Sequence, residues 1–278
     1  MHRTFLLLLL LSFFVLIQPT QAQRTEEDSP YEVIEELEIP LALLGAGSTA
    51  YGFYLLSQKS GSDSLTIANL NINEDVIKFN RHGQPRYSES ASKQSDLLFY
   101  GSFPIPFLML LDKNIRRDAG RISIMYVEAL GLTGTIYSMT ASHVDKYRPL
   151  AYSPDAPMSE RMSSNAKNSF YGGHPTITAT SLFFVAKVVS DYYPDRKGLH
   201  WLLYSAASVA TLSNAYLRYR AGKHFLTDLM IGIPIGTLNG ILVPQMHKVK
   251  KVNMDKLNKL SWKVFTGQAH GLSLTYKL

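Results

Sequence analysis

The chain has 278 residues, no cysteine, and a net charge of +6 from 28 basic and 22 acidic side chains. The lack of thiols excludes disulfides, cysteine nucleophiles, cysteine-ligated metals and a lipid-modified N-terminal cysteine. Basic clusters sit beside apolar runs and no nucleic-acid-binding motif is present, so the charge points to anionic lipid or phosphate, not to nucleic acid.

At the N-terminus, His2 and Arg3 precede an unbroken apolar stretch from Phe5 to Ile17, followed by Gln18-Pro19-Thr20-Gln21-Ala22. The apolar run is shorter than the roughly 20 residues of a membrane span and small residues occupy the cleavage positions, so 1–22 is predicted to be a signal peptide cut after Ala22. An exported chain, in a bacterial cell, follows. Residues 23–94 form an acidic lead, an apolar small-residue stretch at 39–57 and a polar loop with short helices. Gly45, Gly47 and Gly52 would let another helix approach 39–57 closely. The Asn71–Asp75 set resembles a helix start more than a calcium site.

Apolar helices are expected at Asp96–Leu111, Ile122–Ser142, Thr176–Ser190, Trp201–Leu217 and Phe225–Val243, each near the length of a membrane span. They define a helical domain at 95–246, followed by a basic C-terminal tail at 247–278. The last residues, 271–278, alternate like one strand with no evident partner. Glu128, inside an apolar helix, must be paired or face a polar cavity.

Loop charge sets a topology. If the basic segments 112–121 and 247–251 are cytoplasmic, 143–175 and 218–224 share the outer side. Parity then makes 39–57 re-entrant, interfacial or packed on the bundle. A soluble periplasmic helical protein is the alternative, consistent with a mean hydropathy of only −0.03.

Those two outer segments hold the reactive groups. Arg218, Arg220, Lys223, His224 and Asp228 lie just ahead of the last apolar run. His224 and Asp228 are four apart, so on a helix the carboxylate could accept from the imidazole and fix its tautomer. Arginines match a phosphate-like anion with flat, permanently charged forks. The other segment supplies Asp145-Lys146-Tyr147-Arg148-Pro149 after one helix and Tyr171-Gly172-Gly173-His174-Pro175 before the next. Pro175 suits a first helical turn, and the glycines let backbone N–H groups close on an anion there.

The order Arg-Pro, then Gly-His, then Arg-x5-His-x3-Asp resembles the type 2 phosphatidic acid phosphatase and vanadium haloperoxidase superfamily, over roughly residues 95–245. That resemblance implies an all-α, multi-helix bundle, membrane-embedded, with no cofactor and no metal. It implies His224 as the nucleophile forming a phosphohistidine, Asp228 as the group orienting it, and His174 as the acid that protonates the leaving alkoxide. Arg148 and Arg218 would hold the phosphoryl oxygens, with Gly172 and Gly173 at the same anion. Substrate would be a phosphorylated lipid or a small phosphoester, hydrolysed on the periplasmic face of the inner membrane.

The chain departs from the family pattern at four places. Ala141 stands where the family has lysine, Tyr171 and Gly172 where it has proline and serine, and Leu217 where it has the serine before arginine. Lys146, Arg220 and Lys223 are candidate replacements for the missing cation. A catalytically impaired phosphate- or lipid-binding membrane protein is therefore the competing reading, and the sequence leaves the oligomeric state open.

Overall fold

The computed structural model describes residues 29–249 and two strands further on; the expected signal peptide at 1–22 lies outside the described residues. Six long helices organise the first of two compact units, which ends at His247. They are α1 (Glu35–Ser57), α2 (Glu89–Ser102), α3 (Ala119–His143), α4 (Gly173–Tyr192), α5 (Lys197–Arg220) and α6 (Leu226–Met246). The second unit contains an antiparallel hairpin of β1 (Leu260–Thr266) and β2 (His270–Tyr276), with Leu260 opposite Tyr276 and Thr266 opposite His270. The expected lone strand thus has a partner, and Leu260, Trp262 and Val264 carry the alternation that foretells it.

The expected helix at 96–111 is corrected. Helix α2 starts earlier, where the Ser88 side chain accepts from the Ala91 N–H at 3.3 Å, and stops at Ser102. Pro104 lacks the N–H that would continue the ladder, and the chain proceeds in short turns at Ile105–Leu108 and Met109–Leu111. Between α1 and α2, Asn71 caps a one-turn helix by accepting from the Asn73 N–H.

Helices α3, α4 and α6 pack through small residues. A Cβ at Gly236 or Gly240 would lie 2.0 Å from the Thr176 carbonyl or 2.5 Å from that of Thr180, so only glycine admits this approach. The contact is zipped by Thr180 Oγ1 on the Gly236 carbonyl (3.2 Å), Thr133 on Thr180 (3.0 Å), and Asn239 on Thr133 (3.0 Å). Helix α1 lies on α3 in the same way: Gly45 faces Gly131, while Thr49 Oγ1 donates to Gly131 O and Thr135 Oγ1 to Gly45 O, both at 3.1 Å. An apolar cluster of Met109, Ile115, Ile122, Met125, Tyr126, Phe184 and Val188 fills one end of the bundle. Burying a side chain such as Phe184 contributes about 1.5–3 kcal/mol.

Two of these helices, α1 and α6, are long and apolar enough to cross a membrane. Of the five expected spans only the last passes that test, because α3, α4 and α5 carry Arg121, Glu128, Lys187, Asp191, Asn214 and Arg218. The stretch at 39–57, which the parity argument set aside, passes it.

Candidate active site

The two outer segments meet at one end of the bundle. Past α3, residues 146–148 run alongside 166–169: Lys146 N–H donates to Lys167 O at 2.9 Å, Arg148 N–H to Ala166 O at 2.8 Å, and Ser169 N–H to Lys146 O at 3.0 Å. On the other side, α5 ends two residues after Arg218, at Arg220. Gly222 takes φ +68°, a Cβ there would lie 1.9 Å from Arg86 O, and the Lys223 N–H returns to Arg218 O at 3.1 Å. The Gly222 carbonyl then accepts from the Leu150 N–H at 2.9 Å, locking the segment before His224 to the one after Arg148.

His224 is buried, and its Nδ1 lies 2.6 Å from the Ser169 carbonyl. A carbonyl only accepts, so Nδ1 carries the proton and Nε2 keeps its lone pair. Burial first, and then the fields of Arg148 and Arg218, hold the imidazole pKa well below its ordinary value. At neutral pH His224 is an uncharged base.

Asp228 does not touch it. The Asp228 carboxylate binds Lys146 Nζ at 2.5 Å, Ser169 Oγ at 2.7 Å and the Phe225 N–H at 3.0 Å. The expected helical i, i+4 contact fails because α6 begins at Leu226, after His224, so the two residues do not share a helix face. The carboxylate reaches the imidazole only through Ser169, whose hydroxyl it accepts from and whose carbonyl holds the ring.

His174 sits in the first turn of α4, stacked on Phe99 with ring centres 4.2 Å apart. Its Nε2 donates to Asp96 Oδ1 at 3.0 Å, and NH1 of Arg218 donates to the same oxygen at 3.3 Å. Burial and the Arg218 charge lower the His174 pKa to about 4 against the opposing pull of Asp96. The expected protonated acid is therefore neutral in the unliganded site.

Arg148 and Arg218 are each only 4% exposed. Arg148 Nε donates to Asn168 O at 3.2 Å, while Arg218 Nε has no hydrogen-bond partner. Burial and the neighbouring Arg148 lower the Arg218 pKa to about 9, so two like charges are held together out of water. Gly173 opens α4, where first-turn N–H groups lack intrahelical acceptors. The Gly172 N–H is engaged, donating to Asp228 O at 3.1 Å.

The candidate replacement cations divide. Lys146 is taken by Asp228 and faces the rings of Phe170 and Phe225. Arg220 is exposed. Lys223 pairs with Glu160 at 3.0 Å, and both arginines depress its pKa, after burial, so its charge is felt at the site. Next to Ala141 a different lysine, Lys59, donates to the carbonyls of Ala141 (2.9 Å) and Val144 (3.0 Å) and pairs with Asp145, closing the end of α3. His143 is exposed and bonds its own helix at Met139 O.

Three residues of the site escaped the sequence reading. Asp96 looked like the start of a helix, and Ser169 falls in an aperiodic loop. Tyr137 was one aromatic among many; its ring lies over Gly173, where a Cβ would come within 2.4 Å of it, and stacks edge-on with Tyr171 at 5.7 Å.

A buried cationic cluster with an uncharged imidazole, a second histidine and a helix N-terminus has the chemistry that suits a phosphoryl group, on an all-α bundle. Residues 123–251 match the family model described as the PAP2 superfamily, and this match supports a phosphatase of that superfamily acting on phosphoric esters. No curated protein and no solved structure matches the chain.

Proposed function

We propose that the protein is a metal-independent lipid phosphate phosphatase working through a phosphohistidine. The observation that carries the reading is the pair of buried arginines beside the uncharged, carbonyl-oriented His224. An anion with several oxygens satisfies both guanidiniums at once, and the nucleophile is already in the form that attacks.

His224 Nε2 attacks phosphorus as the bond to the leaving oxygen breaks, and that oxygen takes a proton from His174. Water then attacks the phosphohistidine; His174 accepts the water's proton and the P–N bond breaks, returning neutral His224. A phosphate held by Arg148 and Arg218 neutralises the field that depresses His174, and a substrate monoanion can supply the proton on entry. Positioned acid–base catalysis of this kind contributes about 10²–10⁴-fold. Asp228 with Ser169 orients His224, Lys223 adds positive charge, and the Gly173 N–H faces the anion.

The lipid assignment rests on exposed apolar side chains over the long helices: Leu43 and Leu44 on α1, Trp201 and Leu202 on α5, Met230 and Leu238 on α6. Such a surface belongs against acyl chains or a partner. With the signal peptide and loop charges it supports an exported chain whose site opens at the periplasmic side of a bacterial inner membrane. Substrates of this class include phosphatidate, phosphatidylglycerophosphate, undecaprenyl diphosphate and lipid A phosphates.

The test is phosphate release from a panel of these lipids by purified protein in detergent with EDTA, comparing wild type with His224→Ala. Release that survives EDTA and vanishes in the variant supports the reading. If folded wild type releases none, a binding protein without turnover takes its place. Ala141, fully buried with Lys59 spent on the helix end, favours that second reading. Extraction of the protein by carbonate would point to a soluble periplasmic phosphatase on small esters.

A further inference from the structure

At the opposite end of the bundle, three polar side chains from three elements converge. Glu38 comes from the first turn of α1, Glu128 from the middle of α3, and His247 from the residue that closes α6. By helical rise, α6 alone puts roughly 28 Å between Asp228 and His247, so the cluster is separate from the phosphate site. His247 Nε2 lies 3.3 Å from Glu128 Oε2 and 3.5 Å from Glu38 Oε1. The side chains are 9%, 11% and 17% exposed for His247, Glu128 and Glu38.

The tautomer matters. His247 Nδ1 is 2.9 Å from the Val243 carbonyl, which only accepts, so Nδ1 carries a hydrogen, and in the neutral ring Nε2 presents a lone pair. That lone pair is aimed at two carboxylates, and neither Nε2 nor Glu128 Oε1 has a hydrogen-bond partner. Three electron-pair donors facing one another are mutually repulsive unless something positive lies between them. One proton satisfies one pair; a divalent cation satisfies all three. An imidazole whose other nitrogen is tied to a backbone carbonyl is also the usual arrangement of a metal-ligating histidine.

We propose that Glu38, Glu128 and His247 bind a zinc ion that clamps α1 onto α3 and α6. A mixed imidazole and carboxylate set favours zinc over magnesium or calcium, which take oxygen ligands. Tetrahedral zinc with bonds of about 2.0–2.1 Å sets neighbouring ligand atoms about 3.3–3.4 Å apart, against the 3.3 and 3.5 Å found here. Three protein ligands leave the fourth position to water. The clamp acts where the chain enters the bundle: the Glu32 N–H also donates to the His247 carbonyl at 2.9 Å. The ion is structural and remote, so it leaves phosphoryl transfer metal-independent.

The experiment uses tag-free, full-length protein in detergent, stripped with chelator, then loaded with zinc chloride and desalted. Wild type and His224→Ala are each expected to retain one equivalent of zinc and to melt at a higher temperature than when stripped. Glu128→Gln and Glu38→Gln are expected to retain less than a tenth of an equivalent and to show no zinc-dependent rise. Failure of wild type to retain zinc, or full retention by both glutamine variants, overturns the proposal. Zinc-edge X-ray absorption on the wild type decides independently of whether the variants fold: one imidazole with oxygen ligands supports the site, and no imidazole, or more than one, overturns it.

Discussion

Asp96 Oδ1 accepts from Nε2 of His174 at 3.0 Å, so the second histidine of the site is tied to a carboxylate supplied by a different helix. The same oxygen accepts from Arg218. Asp96 favours the protonated form of His174. In the proposed mechanism this carboxylate holds the place of a phosphoryl oxygen, and phosphate entry shifts it from at least one partner.

Replacing it separates these effects. In Asp96→Asn the charge that supports imidazolium is gone, so the His174 pKa moves below its value of about 4. The protonated fraction at any pH falls, and the pH–kcat/KM profile moves to lower pH. At pH 6 kcat/KM is expected to drop about 10- to 100-fold, part of the usual contribution of a general acid. A profile of unchanged shape would show that Asp96 does not act through His174.

Both histidines also make the fold sensitive to acid. Their folded pKa values lie below the ordinary value of 6.5, to about 4 for His174 and well below 6.5 for His224. Between pH 6.5 and about 4 the unfolded chain binds more protons than the native one, so stability rises with pH there and is lost as pH falls through that window. Melting temperature should decline over that range. His174→Asn should flatten the decline, which a pH series of melting curves on the two proteins reads directly.

Lys146 was a candidate for the missing phosphate lysine, but its ammonium lies on Asp228, which is fully buried. Removing one member of a buried pair leaves the other uncompensated and costs about 3–5 kcal/mol, less here because Lys146 is one-third exposed. Lys146→Met is therefore expected to lower the melting temperature by several degrees, with the loss in kcat tracking the disturbance of Ser169 and His224. A variant with native melting temperature and raised KM alone would return Lys146 to the phosphate.

How much of this could be read in the chain depends on whether a residue's role is local. The helical class, the helices at 119–143, 173–192, 197–220 and 226–246, and the convergence of Arg148, His174, Arg218 and His224 follow from apolar periodicity and from motifs whose members lie at helix ends. Pro104 marked the end of α2, but its apolar neighbours masked the signal. The Asp228–His224 contact failed because i, i+4 logic needs both residues inside one helix, and the capping bond from the Phe225 N–H to Asp228 starts that helix at Leu226, two residues after His224. Asp96, Ser169 and Lys59 act across 78, 55 and 82 positions of sequence, and nothing in their own neighbourhoods announces it.

Tyr137 lies one helical turn before Ala141 and on the same side of α3, so it stands beside the position where the family lysine is lost. Its ring packs against Gly173 at the mouth of α4. Its phenol lies close enough to both Arg148 and Arg218 for each guanidinium to feel it. A phenolic O–H there can donate to a phosphoryl oxygen held by the two arginines, a neutral donor in place of an ammonium. Tyr137→Phe keeps the ring and its packing and removes only that donor. A hydrogen bond to a charged group contributes about 1.5–3 kcal/mol, so the apparent affinity for vanadate or phosphate should weaken about 10-fold or more. The melting temperature should stay within a few degrees of wild type, since the hydroxyl has no hydrogen-bonded partner whose loss would be felt among the described residues. Inhibition of phosphate release by vanadate, titrated for wild type and Tyr137→Phe, gives the ratio. Equal inhibition constants would assign the tyrosine to packing over Gly173 and leave Lys223 as the residue that makes up the missing charge.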